Sequence, residues 1–369
     1  MLVLFKPVHH YLLENKLFEL NCFYKGWHLE GYHYLAQMGK ERGIEFATWD
    51  TQPLDKADVI IIQDLPATKA EMVEVKRKAP QAKLILMNVE TPLGRNYMWD
   101  KANHKLFDAV LTYNRAICDN YCYYHYYLPI GEPPQIEDLA FSARRPLTII
   151  NNNRLLGPSN LFYFRQRGLA GLPGVGVFFS GWHVTLNAFL RLSRGETYSA
   201  RRKIARLAER EFPDVLDVYG QGWSGEPVGW PHTLIAPKPF ACHRTTTAGK
   251  TDTLIKYRFA LAYENQTSNV GYVSEKIFDC LYAGVVPIYI GEKNIGDYVW
   301  PSAFVDARQF RNNRELLAFA QRCSESEWQQ YRDQGKAFLQ SDDIKKFQKE
   351  NFASTILKTV KEVSTKQLV

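Results

Sequence analysis

A chain of 369 residues with 46% hydrophobic and 23% charged residues is long enough for two domains with separate cores, and its composition excludes disorder, collagen and coiled coil. Lys and Arg number 46 against 39 Asp and Glu, a net charge of +7, too small for a histone-like polycation but enough for a local anionic ligand. Six cysteines without a CxxC pair read as reduced thiols, and no run reaches the roughly 18 apolar residues of a membrane span, which predicts a soluble, cytoplasmic protein.

From the N-terminus, apolar runs at 2–5, 45–49, 57–62, 83–89 and 107–113 alternate with amphipathic segments. Such runs predict strands buried on both faces of a parallel sheet. The aromatic cluster 121–127 reads as packing at a domain edge, with a glycan-stacking platform as the alternative. The Pro-rich, charged stretch 128–146 reads as an exposed linker with a boundary near 140. The alternation then restarts: strands at 147–153, 215–220, 259–265, 285–291 and 302–307, with helices at 199–211 and 274–283. Residues 155–198 fit neither pattern and read as an insertion. The stretch 312–364 is helical in character, a bracing tail.

The predicted fold class is therefore α/β, with two Rossmann-like doubly wound domains, a cleft between them and a C-terminal helical tail. The divisions are 1–140, 141–340 with the insertion, and 341–369, the tail helix packing back on the N-terminal domain. Ligands of such sheets bind at the carboxyl ends of the strands, so functional residues are sought in loops facing the cleft.

Ser274 and Glu275 open a helix in the ordinary way, and Gly284 ends it. Lys276 is anomalous, because a cation in the first turn opposes the helix dipole unless an anion sits there. Arg201, Arg202 and Lys203 repeat that anomaly at the start of the 199–211 helix, with a solvated basic face as the bland reading. Together the two helix starts predict a diphosphate site that uses the Arg fork and the Lys point charge. No Asp-x-Asp pair is present, so no metal is expected on that diphosphate. Asp342 and Asp343 are adjacent and read as caps of the final helix. The nine histidines show no zinc-ligand spacing. Glu90 ends the 83–89 run just before Thr91-Pro92, where Pro92 keeps Thr91 extended. It is the candidate general base, with a loop-capping carboxylate as the alternative.

The segment AYENQTSNVGYVSEKIFDCLYAGVVPIYIG (262–291) resembles the signature of the α1,3/4-fucosyltransferase family, glycosyltransferase family 10. MNVETP (87–92) and LFDAVLTYNR (106–115) are similar to that family's acceptor-side motifs. The resemblance implies a GT-B fold and an inverting transfer of L-fucose from GDP-β-L-fucose to an acceptor oligosaccharide, α1,3 or α1,4 to the GlcNAc or Glc of a lactosamine-like glycan. It further implies Glu90 as base and Arg201, or Arg202 with a one-residue slip, on the phosphate. Glu264, Asn265, Tyr272, Glu275 and Lys276 are the implied donor contacts. No cofactor is expected, a divalent cation being at most stimulatory. Another GDP-sugar or an atypical acceptor is the runner-up, and a non-catalytic carbohydrate-binding protein the third reading. Nucleic-acid binding is not expected, since the usual motifs are absent. Lys345, Lys346 and Lys349, diluted by Asp342, Asp343 and Glu350, read as an ordinary solvated helix, with weak peripheral contact with an anionic inner-membrane surface as the alternative.

Overall fold

The computed structural model describes residues 1–20, 29–64, 69–99, 101–154, 195–225, 238–245, 249–267 and 269–366. The expected insertion therefore lies almost wholly outside the described residues.

β-Branched and aliphatic runs with no polar interruption must be covered on both faces, and the first six strands are. β1 (Leu2–Lys6), β2 (Glu45–Thr48), β3 (Val59–Gln63), β4 (Lys83–Met87), β5 (Ala109–Thr112) and β6 (Tyr123–His125) form a parallel sheet in the order β2-β1-β3-β4-β5-β6. One face packs on α1 (Leu29–Glu41) and the other on α2 (Lys69–Lys78). The sixth strand falls within the aromatic cluster 121–127, where period-2 burial hides Tyr124 and Tyr126 while Tyr121 stays exposed.

The second sheet holds β7 (Arg145–Ile150), β8 (Leu216–Tyr219), β9 (Tyr257–Tyr263), β10 (Val286–Ile290) and β11 (Val305–Asp306) in the order β11-β10-β9-β7-β8, again all parallel. Counted within each sheet, both follow the order 2-1-3-4-5, and the first adds a sixth strand. Each sheet thus has a topological switch point between its first and third strands, the place where open α/β sheets form ligand crevices. Short helices α3 (Pro92–Arg95) and α4 (Lys101–His104) follow β4. In the second half, α5 (Tyr198–Glu211) and α8 (Asn313–Arg322) cover one face of the sheet. α6 (Lys250–Leu254), α7 (Glu275–Tyr282) and α9 (Glu325–Gln340) lie towards the other.

The final helix, α10 (Lys349–Thr365), returns to the first sheet and packs along α1. Phe352, Ile356, Leu357, Val360 and Val363 are all buried there, each contributing roughly 1.5–3 kcal/mol of transfer free energy. Gly31 allows the close approach: a Cβ on it would lie 2.9 Å from Pro129 and 3.1 Å from Phe352. Asp342 and Asp343 do not begin this helix, contrary to the sequence expectation. They start a separate 3-10 turn, Asp342–Phe347, because buried Ile344 and Phe347 anchor that turn before the chain reverses into α10. The lysines proposed for a membrane surface are engaged within the chain. Lys345 pairs with Asp342, Lys349 with Glu132, and Lys346 donates to the Asp297 carbonyl at 3.0 Å. No helix among the described residues is long and apolar enough to cross a membrane.

Candidate active site

At the carboxyl end of β9 the chain enters Glu264, whose side chain is fully buried. Its carboxylate accepts the Ser274 amide at 2.8 Å, the Ser274 hydroxyl at 2.7 Å and the Lys276 ammonium at 3.2 Å. Ser274 itself caps α7, accepting from the Lys276 amide at 3.4 Å. Lys276 therefore does not wait for a ligand to answer its charge, contrary to the sequence expectation. The anion that a first-turn cation requires is already present in the protein, and it is Glu264. Burial opposes the Lys276 charge, but the carboxylates of Glu264 and Glu275 outweigh it and hold the ammonium above its ordinary pKa. Glu275, 3.6 Å from Lys276, points its carboxylate half into solvent.

Arg201 arrives from α5 at the same strand end and is 2% exposed. It donates to the carbonyl oxygens of Tyr263 and, at 3.1 Å, Glu264, and reaches Asn265 Oδ1 at 3.5 Å. Each of these acceptors is neutral, burial lowers the guanidinium's pKa, and its Nε lies buried without a hydrogen-bond partner among the described residues. Arg202 points elsewhere, donating to the Arg154 carbonyl, and Lys203 is exposed. The two candidate alignments for the phosphate Arg are thus separated by geometry, with Arg201 facing the strand end. Thr197, donating to the Glu264 carbonyl, ties the start of α5 to the same point.

The first sheet meets this region through β5. Gly271 has φ +81°, and a Cβ there would sit 2.2 Å from the Tyr113 carbonyl, so only glycine lets the two halves approach. The Tyr113 and Tyr272 rings meet edge to face at 5.0 Å. Both phenols are held well above their usual pKa, chiefly by burial and further by the Glu90 and Glu264 carboxylates. Glu292, buried after β10, fixes the loop by accepting the Gly271 amide.

Glu90 leaves the end of β4 half-buried. Its carbonyl accepts from Trp99 Nε1 and from the Tyr113 hydroxyl, each at 3.3 Å. Its amide, with that of Val89, donates to Asp64 Oδ1 at 3.3 and 3.0 Å. Asp64 follows β3 directly, is 3% exposed and holds φ +49°. Sequence reasoning passed over Asp64. The available signal was an acidic residue two positions after the fully apolar run VIII, which at a parallel strand's carboxyl end must either bind something or hold a neighbouring loop. The site therefore gathers Glu90 and Tyr113 from one sheet with Tyr272, Glu275, Lys276, Arg201, Glu264 and Asn265 from the other. Among the described residues no cluster of three His, Cys, Asp or Glu side chains is placed to hold a metal.

The model of the region described as "Glycosyltransferase family 10 (fucosyltransferase) C-term" matches residues 187–366. An α-(1,4)-fucosyltransferase of Arabidopsis thaliana is 42% identical over 69 residues, 19% of this chain and 17% of that protein. An α-(1,3)-fucosyltransferase of Helicobacter pylori is 36% identical over 70 residues, 19% and 14% of the two chains. A GDP-fucose protein O-fucosyltransferase 3 of Rattus norvegicus is 38% identical over 71 residues, 19% and 14%. The matches span less than a fifth of the length of these curated relatives. In three dimensions an α1,3-fucosyltransferase with GDP superposes over 100% of this chain and 91% of its own, at 11% identity and TM-score 0.52. A T4 phage BGT with UDP and Mn²⁺ covers 98% and 99% at 8% identity and TM-score 0.51. At such identities these likenesses establish the two-sheet GT-B fold.

Proposed function

This chain belongs to glycosyltransferase family 10, through residues 187–366, and from that membership we propose that it moves L-fucose from GDP-β-L-fucose to a hydroxyl of an acceptor glycan. The observation that carries the reading is the pair of buried cations at the carboxyl end of β9. Lys276 is balanced by Glu264, whereas among the described residues the hydrogen bonds of Arg201 go to neutral oxygens, the Glu264 and Glu196 carboxylates acting on it through space, and its Nε has no hydrogen-bond partner. A buried guanidinium that forms no ion pair is costly unless an anion completes it. A diphosphate leaving group supplies that anion, and the positive charge stabilises it as the glycosidic bond breaks.

In this reading Glu90, from the opposite sheet, takes the proton of the acceptor hydroxyl as it attacks the anomeric carbon. A single displacement with base and leaving group on opposite faces of the sugar inverts the β-linked donor to an α product. Tyr272, Glu275 and Asn265 line the donor side, and Glu264 acts through Lys276. No metal is required, since the cations of the chain serve the diphosphate. Relatives' names span α1,4, α1,3 and protein acceptors, and the reading taken here is an α1,3 or α1,4 linkage to a lactosamine-like glycan.

Turnover of GDP-fucose, GDP-mannose and other GDP-sugars, each with and without a chelator, tests the proposal. Preference for GDP-fucose that survives chelation supports it. Preference for another GDP-sugar moves the chain to a different donor, and loss of activity on chelation removes the metal-free step.

A further inference from the structure

In the transfer reading the base and the donor cations stand on opposite halves of the molecule, so contacts that cross between the halves must set their spacing. Glu292 lies two residues past the end of β10, just beyond the segment that carries the family resemblance, and is 3% exposed. One carboxylate oxygen accepts the Gly271 amide and the other the Asn294 amide at 2.9 Å, while its own amide donates to the buried Tyr289 hydroxyl at 3.1 Å. Two N–H donors converging on one side chain need two acceptor atoms, which a carboxylate has and a carboxamide lacks. Among the described residues Glu292 forms no ion pair: the arginines whose charge reaches it, Arg115 and Arg308, pair with Asp297 and Asp306. A carboxylate is costly to bury, and here it holds two loops at once.

From Gly271 the contacts run on into the other half. Gly271 abuts the Tyr113 carbonyl, and the Tyr272 ring that follows it meets the Tyr113 ring edge to face. The Tyr113 hydroxyl donates to the Glu90 carbonyl at 3.3 Å. The Trp99 ring, 5.2 Å from that of Tyr113, donates its Nε1 to the same oxygen at 3.3 Å. The amide of Glu90 is therefore held from its own half, by Asp64. Its carbonyl is held by Tyr113, a side chain braced from the donor half.

We propose that Glu292 is a positioning residue for Glu90, which it places across the interface through Gly271, Tyr272 and Tyr113. This inference rests on the fucosyl-transfer reading above. The loop from Gly271 to Lys276 then serves both ends of the displacement: Lys276 stands on the leaving-group side, and Gly271 steadies the base. Two buried carboxylates hang that loop, Glu264 through Ser274 and Lys276, and Glu292 through Gly271. Loss of the second leaves the cations in place and loosens the base.

The test is a double-mutant cycle on kcat for fucosyl transfer to N-acetyllactosamine, with Glu292→Gln, Tyr113→Phe and the double variant, and GDP titration as the check of folding. Glu292→Gln can satisfy only one of the two amides, and Tyr113→Phe removes the hydroxyl that holds the Glu90 carbonyl. Each single variant is expected to lower kcat about tenfold with GDP affinity within about twofold of wild type. Because Glu292 acts through Tyr113, the double variant is expected to stay within about twofold of the lower single one. A fall of about a hundredfold in the double variant, which independent effects would give, or an unchanged kcat in Glu292→Gln, overturns the relay. If Glu292→Gln loses GDP binding, Glu292→Asp, which keeps the charge and shortens the reach, takes its place in the cycle, and the same loss there overturns the relay. If the wild type transfers fucose to no acceptor, the transfer reading fails separately, and the relay is read by fluorine NMR of protein labelled with 3-fluorotyrosine. A Tyr113 resonance, assigned by its loss in Tyr113→Phe, that shifts in Glu292→Gln then supports it, and an unshifted one overturns it.

Discussion

The Lys276 ammonium lies 3.2 Å from the Glu264 carboxylate, and neither group has much access to water, Lys276 being 11% exposed and Glu264 not at all. The pair fixes one donor-side cation before any ligand arrives. Lys276→Ala leaves Glu264 with the two Ser274 donors and without its ion-pair partner. It is expected to destabilise the protein by about 3 kcal/mol and to weaken GDP binding at least tenfold, read by thermal melting and isothermal titration. The double variant Lys276→Met with Glu264→Gln separates the two effects: stability returns and GDP affinity does not.

Glu90→Gln keeps the shape of the loop after β4 and removes the proton acceptor. Turnover is expected to fall on the order of a hundredfold or more with GDP affinity retained. Steady-state kinetics beside a GDP titration check this, and near-normal turnover removes Glu90 from the mechanism.

Asp64 acts on Glu90 through its amide, as a positioning residue. Asp64→Ala is expected to lower kcat about tenfold with little change in donor KM, because a misplaced base impairs the chemical step rather than binding. Asp64→Asn keeps one acceptor oxygen for the Val89 and Glu90 amides and is expected to recover much of that loss. A purely structural role would lower stability in both variants without the kcat-selective pattern.

Much of this arrangement was legible beforehand. Ten of the eleven strands among the described residues follow from runs of apolar residues, since a segment such as VIIIQ or KLILM can only be buried on both faces. The helix at Glu275–Tyr282, with Ser274 before it and Gly284 after it, follows from cap chemistry. β6 was hidden because three residues of alternating aromatics carry too little pattern to distinguish an edge strand from packing. The balance at Lys276 was hidden for another reason. Glu264 stands 12 residues earlier, and only the return of the chain from β9 to α7 brings the charges together. Local sequence reports that a charge is misplaced on its helix and is silent about which distant residue answers it.

Gly271 sits where the two halves approach closely. Gly271→Ala combines an unfavourable φ of +81° with a Cβ 2.2 Å from the Tyr113 carbonyl. The loop must move, so the expected cost is about 2 kcal/mol or more. Transfer should fall further than GDP binding, because the movement displaces the acceptor-side Tyr113 from Tyr272 rather than the cations. Thermal melts and paired kinetics read both.

In the linker, Asp138 bridges Arg144 at 3.0 Å and Arg332 at 2.6 Å. Burial alone would raise its carboxyl pKa, but Arg332, Lys336 and Arg144 together hold it below the ordinary value. A depressed folded pKa means stability that is present above the unfolded value of about 3.9 and lost as pH falls through the folded one. The carboxylate is half exposed, so solvent screening keeps the effect near 1 kcal/mol or about 2 °C. Asp138→Asn should melt below wild type at pH 7, and the gap should close as the pH falls below the ordinary carboxylate range.

The most direct measurement follows the anomeric carbon. The protein is incubated with GDP-β-L-fucose and N-acetyllactosamine, and the product is read by proton NMR. The account predicts an α-linked fucosyl product from the β-linked donor, formed in the presence of a chelator. A β-linked product, or no fucosylated product from this or any type 1 or lactose acceptor, contradicts it.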